Sequence, residues 1–282
     1  MNGLQIVIPE ADMQFPTVQE LFDLTGQVAL VTGGARNLGY DMALALAEAG
    51  ADVAITSRKI ESARESAAKI AKATGRRVLP MCLDVREEDR VEAAIDACLS
   101  EFGGIDILVN NAGNVVSTPD NAPLERRKLE DWEFTIDVNL TGTFLCSKHV
   151  VAKAMMPQKQ GVIINIGSIA GMIGKDRRVY KGTPMGGVTM DYSAAKGGVI
   201  NLTRDMACYL APHNIRVNCI SPGGFWRNQP EDFVKAFSET IPMGRMGQDG
   251  KELKGAVVFF ASEASSYCTG QNLAIDGGLT AW

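Results

Sequence analysis

Tyr192 and Lys196 stand four residues apart in DYSAAKGGVINLTRDM, so on a helix they share one face. A free phenol titrates near pH ~10 and a lysine ammonium near ~10.4, so neither exchanges protons readily at neutral pH unaided. An ammonium beside the phenol favours phenolate and is expected to lower the tyrosine pKa. Such a pair suits general acid/base work on a hydroxyl or carbonyl oxygen. An isolated YxxxK also occurs on ordinary exposed helices, so its neighbours must decide.

A second constellation is Thr32-Gly33-Gly34-Ala35-Arg36-Asn37-Leu38-Gly39, between the run QVALVTG from Gln27 and a helical stretch. Glycines there allow a sharp turn and bring backbone N–H groups to a pyrophosphate at a helix N-terminus. The pattern is weak in isolation. Its place after the first strand and before the first helix gives it meaning. A tight strand-to-helix turn without a ligand is the alternative.

The elements that must position these groups alternate. Short β-branched runs begin at Gln27, Asp52, Arg77, Ile105, Val162, Ile215 and Gln271, with amphipathic stretches such as ESARESAAKIAKATG between them. Several of these stretches end at glycine, as helices often do. Parallel strands need helical crossovers, so the pattern predicts an α/β fold. The expectation is a single doubly wound Rossmann-type domain over residues 24–282, its seven-stranded parallel sheet flanked by helices. Residues 1–23 read as an N-terminal arm, with a short helix in ADMQFPTVQELFDL. Residues 171–191 and 223–240 break the rhythm and are expected to be loops near the substrate.

These motifs together resemble the classical short-chain dehydrogenase/reductase family, over everything from about Leu24 to Trp282. TGGARNLG is similar to its glycine turn, and Asn110-Asn111-Ala112-Gly113 to its NNAG. Asn139 in DVNLTG, Ser168 in NIGSIAG, and Tyr192 with Lys196 follow its catalytic order. Pro222-Gly223 resembles its PG after a later strand. The resemblance implies that Tyr192 is the general acid/base and that Lys196 tunes it and holds the nicotinamide ribose. It implies that Ser168 bonds the substrate oxygen and that Asn139 anchors a water in the proton relay. It also places Gly33, Arg36, Asn37, Leu38, Gly39, Ser57, Arg58, Asp84, Val85, Asn111, Ala112, Gly113, Tyr192, Lys196, Pro222 and Gly223 around the dinucleotide.

Three departures stand out. Asn37 replaces the middle glycine of the turn, and asparagine tolerates unusual backbone angles. Arg227 stands where many members have a threonine that contacts the nicotinamide carboxamide. The stretch from Ser168 to Tyr192 is longer than usual by roughly ten residues. Tyr180 lies at the customary spacing from Ser168 but has no lysine four residues on, so it is not the base.

Cofactor choice turns on what meets the ribose 2′ position after the second strand. An acid there accepts from a 2′-hydroxyl, whereas arginine pairs with a 2′-phosphate. The strand ends Thr56-Ser57-Arg58-Lys59 without an acid, and Arg36 adds a second cation. NADP(H) is favoured, with NAD(H) also open to the family. Arg58 also reads as a solvated charge at a helix start. Asp84 resembles an adenine-contacting aspartate, with a helix N-cap as its rival role.

Composition narrows the rest. The chain has 282 residues, 46% hydrophobic and 22% charged, and a net charge of −5. Its mean hydropathy is +0.00. This is globular composition without a nucleic-acid binder's basic footprint, a polybasic membrane patch or a spanning apolar run. The N-terminus lacks the basic start and apolar core of a signal peptide, so a cytoplasmic location is expected. Six scattered cysteines and two histidines offer no metal site, and the cysteines read mostly as buried free thiols.

The expected substrate is a small molecule, with a secondary alcohol and a ketone interconverted. Lys175, Arg177, Arg178 and Lys181 in the first irregular segment suit an anionic sugar derivative, or else a solvated basic loop or subunit contact. Phe225 and Trp226 offer a lid. At the level of the whole chain, the ends and the PGG…NQPEDF segment are similar to gluconate 5-dehydrogenase-like and sugar-modifying relatives. A 3-oxoacyl-carrier-protein reductase shares every core motif and stays as the alternative. A catalytically silent cofactor-binding scaffold is the non-enzymatic one. The resemblance also implies a homotetramer.

Overall fold

The computed structural model describes residues 15–114, 123–183 and 185–282. The apolar runs become β1 (Val28–Val31), β2 (Asp52–Ser57), β3 (Val78–Cys82), β4 (Ile107–Asn110), β5 (Gly161–Ile166), β6 (Ile215–Pro222) and β7 (Asn272–Ile275). They form one seven-stranded sheet in the order β3-β2-β1-β4-β5-β6-β7, with every pairing parallel. The doubly wound α/β expectation holds.

The helices are α1 (Val18–Phe22), α2 (Asn37–Glu48), α3 (Ile60–Thr74), α4 (Glu88–Phe102), α5 (Leu129–Ile136), α6 (Gly142–Val150), α7 (Met156–Gln158), α8 (Met190–Leu210), α9 (Glu231–Ser238) and α10 (Lys254–Ala261). Successive strand residues face opposite sides of the sheet. Ala29, Val31, Val53 and Ile55 therefore pack with Met42, Leu46 and Phe260 from α2 and α10. Val28, Leu30, Leu108 and Ile163 pack with Val91, Ile95 and Leu145 from α4 and α6 on the other side. A strand buried on both faces needs apolar residues throughout, which is why VALV shows no polar alternation. Gly75 and Gly103 close α3 and α4 at φ 72° and 86°, where a side chain would be strained.

Strand order reverses between β1 and β4, because β2 and β3 lie to one side and β5 to β7 to the other. Loops leaving the carboxyl ends of β1 and β4 diverge there, and that crevice is where doubly wound sheets bind ligands.

Several expectations change. Residues 223–240 are not loop throughout, because α9 occupies 231–238. Phe233, Val234 and Phe237 supply one apolar face, and Phe233 is buried against Val179 and Met246. The first irregular segment ends at Thr189, since Met190 and Asp191 already belong to α8. Within it, Arg177–Tyr180 forms a 3₁₀ turn. A short helix does form near the N-terminus, with Thr17 and Glu20 capping α1 reciprocally. Residues 1–14 of the expected arm lie outside the described residues, as does Pro184 of the first irregular segment. Cys98, Cys146 and Cys219 are buried, but Cys82 and Cys208 are exposed. Cys82 closes β3 at the sheet edge, where no further strand covers it. Burial pushes the Cys98 and Cys146 thiols up to about 12. No helix among the described residues is long and apolar enough to cross a membrane.

Candidate active site

The glycine turn is locked to the end of β4. Thr32 Oγ1 accepts from the N–H groups of Asn111 and Ala112, both at 3.0 Å. Asn111 Nδ2 donates back to the carbonyls of Thr32 and Gly33 at 2.8 and 3.1 Å. A side chain at Gly39 would collide with the Gly33 carbonyl oxygen and the Asn111 amide nitrogen, so α2 packs this closely only with glycine there. Asn37 takes φ 50°, the left-handed conformation that its departure from glycine demands.

One strand further, Asn110 Nδ2 donates to Ser147 Oγ and Asn165 Oδ1, both at 2.9 Å. Asn165 Nδ2 then donates to Thr203 Oγ1. This buried polar chain joins β4 and β5 to α6 and to α8, the helix that carries Tyr192 and Lys196.

Lys196, 4% exposed, is a second-turn residue of α8, and its Nζ donates to the Ile166 carbonyl at 2.7 Å. The same Nζ lies 5.6 Å from the Tyr192 ring centre. Burial pushes Lys196 down to about 8. Tyr192 does not follow the expectation of a lowered pKa. Burial raises its phenol above the ordinary value, and a hydrogen bond with Ser168 offsets this in part. The physical reason is that burial strips water from the phenolate and disfavours it, and the Lys196 ammonium, 5.6 Å from the ring centre, does not offset that cost. Ser168, two residues past β5, also accepts from the Ala170 N–H at 3.1 Å.

Asn139 sits in a π-helical turn, Asp137–Thr141, between α5 and α6. Such turns re-aim single side chains inside otherwise regular helices. Its Nδ2 donates to the Asn114 and Thr135 carbonyls at 2.7 and 2.9 Å. Its Oδ1 is buried without a partner among the described residues. A side chain at Gly113 would stand 2.9 Å from this Oδ1 and 3.7 Å from Lys196 Nζ, so both atoms flank one spot beside Gly113.

These groups share a cleft of about 1170 Å³. Ser168, Tyr192 and Lys196 line it, with Asn139 behind its wall. Every sequence-predicted dinucleotide residue also lines it: Gly33, Arg36, Asn37, Leu38, Gly39, Ser57, Arg58, Asp84, Val85, Asn111, Ala112, Gly113, Pro222 and Gly223. Arg36 and Arg58 carry no ion pair among the described residues, so their charges are open to the cleft. Asp84 is not a helix cap, because Glu87 takes that position before α4. Its carboxylate instead accepts from the Arg86 guanidinium at 3.0 and 2.7 Å, which holds it below the usual range.

The substrate residues fare less well. Phe225 is buried and lines the cleft, but Trp226, Arg177 and Arg178 do not. Arg178 is 91% exposed and folds back on Asp176, its neighbour two residues earlier. The loop cations were expected at the mouth, but a local acid satisfies this one, and Lys175 turns inward to the Gly186 and Val188 carbonyls.

Sequence reasoning missed Thr56, which accepts from the Gly33 N–H at 3.1 Å, and Ser62, Lys69 and Asn114 in the cleft wall. Lys59 adjoins Arg58 in sequence and carried a signal. Ser62 and Lys69 did not, because only the packing of α3 brings them round. The ion pair of Arg127 with Asp191 was also missed.

A doubly wound sheet with such a cleft at its switch point is a dinucleotide-binding architecture. The model of a family described as enoyl-(acyl carrier protein) reductase matches residues 33–280. A 3-oxoacyl-[acyl-carrier-protein] reductase from Synechocystis is 40% identical over 258 residues, 91% of this chain and 98% of the relative. The crystal structure of a short-chain type dehydrogenase/reductase from Mycobacterium marinum has a TM-score of 0.84 at 39% identity, covering 94% of this chain and 99% of the other. A gluconate 5-dehydrogenase from Burkholderia cenocepacia, solved with NADP and tartrate, also scores 0.84, at 35% identity over 94% and 100% of the two chains. The chain belongs to the short-chain dehydrogenase/reductase family, NAD(P)-dependent oxidoreductases acting on CH–OH groups.

Proposed function

We propose that the protein is an NADP(H)-preferring enzyme that interconverts a ketone and a secondary alcohol, with a 3-oxoacyl thioester as the leading substrate class. The observation that carries the reaction is the Tyr192–Lys196 pair beside Ser168, in one cleft with the glycine turn. The residues present fit a dinucleotide. The α2 N-terminus and Gly33–Gly39 suit a pyrophosphate, and Arg36 and Arg58 suit a 2′-phosphate. The nicotinamide, when bound, supplies or accepts the hydride.

The chain's own groups handle the proton. Tyr192, its pKa raised by burial, is protonated at neutral pH and ready to give a proton to a carbonyl oxygen. Ser168 holds that oxygen by hydrogen bond. Lys196, tethered to the Ile166 carbonyl, orients the ribose and returns charge to the phenol's surroundings. Asn139 turns its unpartnered Oδ1 toward the same spot and is the group to hold a relay water.

The acyl reading leads because the similarity to an acyl-carrier-protein reductase reaches 40% identity. The loop arginines that favoured an acidic sugar also lie outside the cleft lining. A sugar acid is the second reading, supported by likeness to the gluconate 5-dehydrogenase solved with tartrate. Both are tested by following NADPH oxidation with a 3-oxoacyl thioester and with a keto-aldonic acid. A tenfold higher kcat/KM for the keto acid would replace the first reading by the second. We further propose self-association as a homotetramer, as the family resemblance implies.

A further inference from the structure

Arg227 is the departure that the proton chemistry leaves unused, and it lines the cleft. Its Nε and Nη2 donate to the Asp249 carboxylate at 2.6 and 2.8 Å. That bidentate grip fixes the plane of the guanidinium. Asp249 is itself framed, because the next residue, Gly250, donates its N–H to Asp41 Oδ2 at 2.6 Å. Asp41 belongs to α2, one turn beyond Asn37, and is close enough to act electrostatically on Arg227. The chain around Arg227 is also pinned. Trp226 N–H donates to the Gly247 carbonyl and Gly247 N–H to Gly224, while Arg227 N–H donates to Gln229 Oε1.

The result is an arginine mounted on the flank of α2. No protein partner for Nη1 appears among the described residues. A guanidinium has five N–H donors and no acceptor, so it can serve the oxygen of a neutral carboxamide but not its NH2, whereas an anion takes every donor it offers. The anion of a dinucleotide nearest the first turn of α2 is its pyrophosphate. A 2′-phosphate would lie with Arg58, just past the end of β2.

We propose that Arg227 is a pyrophosphate contact of the bound dinucleotide, oriented by Asp249 on a frame anchored to α2 through Asp41. This rests on the dinucleotide reading above. The contact is common to NADPH and NADH, so it governs affinity without governing the choice between them.

Equilibrium titrations of NADPH, NADH, ADP-ribose and adenosine 2′-monophosphate test it, using wild type, Arg227→Ala, Arg227→Met and Asp249→Asn, with melting curves as a control for folding. The expected result is a roughly tenfold or greater loss for NADPH, NADH and ADP-ribose alike in both Arg227 variants. Adenosine 2′-monophosphate, which lacks the pyrophosphate, should bind unchanged. Asp249→Asn should show the same pattern at smaller size. Unchanged ADP-ribose affinity in the Arg227 variants overturns the proposal, as does an equal loss for adenosine 2′-monophosphate. If the wild type binds neither NADPH nor NADH, the dinucleotide reading falls and this inference with it.

Discussion

The guanidinium of Arg127 meets the carboxylate of Asp191 at 2.6 Å, the two side chains being 8% and 0% exposed. Asp191 immediately precedes Tyr192, so this pair ties the segment before α5 to the turn of α8 that carries the phenol. Removing one partner of a buried ion pair leaves an uncompensated charge and typically costs about 3–5 kcal/mol. Arg127→Met should therefore lower the unfolding free energy extrapolated from a urea titration by an amount in that range. Burial raises the Asp191 pKa, but the neighbouring Thr135 and Thr189 hydroxyls and the Arg127 guanidinium outweigh it and the pKa is lowered. A lowered carboxyl contributes stability above its unfolded pKa and loses it as pH falls through the folded one. The wild type should thus lose stability on acidification below about pH 4, and Arg127→Met should show a shallower acid slope.

Activity should follow Lys196 more closely than Tyr192 on the alkaline side. With Tyr192 raised and Lys196 near 8, ketone reduction should hold through neutral pH and decline above about pH 8 as the ammonium is lost. Oxidation of the alcohol needs a phenolate and should rise with pH over the same range. Tyr192→Phe should abolish both directions. Initial rates from pH 6 to 10 check this, and a reduction rate that climbs above pH 8 would refute it.

Arg58→Asp should weaken NADPH binding about ten- to a hundredfold, the value of a lost charge-assisted contact, while changing NADH little. Fluorescence titration reads both affinities. Equal losses for the two cofactors would show that Arg58 does not meet the 2′-phosphate.

Arg177→Ala with Arg178→Ala should leave KM nearly unchanged for thioester and sugar-acid substrates alike, because neither arginine lines the cleft. Steady-state kinetics decide it. A KM rise confined to acidic substrates would return these cations to the mouth.

Trp132, Phe144, Met190 and Tyr209 are exposed apolar residues on α5, α6 and α8. Sedimentation should give about four times the chain mass of 30.2 kDa, and Phe144→Glu should lower it. A wild-type monomer would refute the tetramer.

The sheet was legible because strands buried on both faces cannot hide their composition. So was the gathering of Gly33, Asn111, Ser168, Tyr192 and Lys196 along one cleft, because their motifs are short and continuous in sequence. Asn37 was read correctly as a residue taking an unusual backbone angle. The Tyr192 pKa was misjudged because spacing reveals a neighbour but not how deeply both groups are buried. Arg178 was misplaced because composition showed four loop cations without showing that Asp176 would bind one. Arg127 and Asp191 lie 64 positions apart, and only tertiary packing joins them.

The Tyr180 ring packs tilted against Phe233, centroids 5.1 Å apart, and Phe233 stacks on Phe237 at 5.4 Å. With Val179, Met185 and Met246 they form a small core separate from those flanking the sheet. Lys175 caps the Tyr180 ring at 4.3 Å, and Gly187, at φ 70°, leaves room for both. This cluster joins the inserted segment to α9. A chimera that imports one of them from a relative would therefore strand the other's aromatic face in water. The two stretches, about fifty positions apart in the chain, therefore pack as one unit, and a graft that keeps this cluster intact has to move them together.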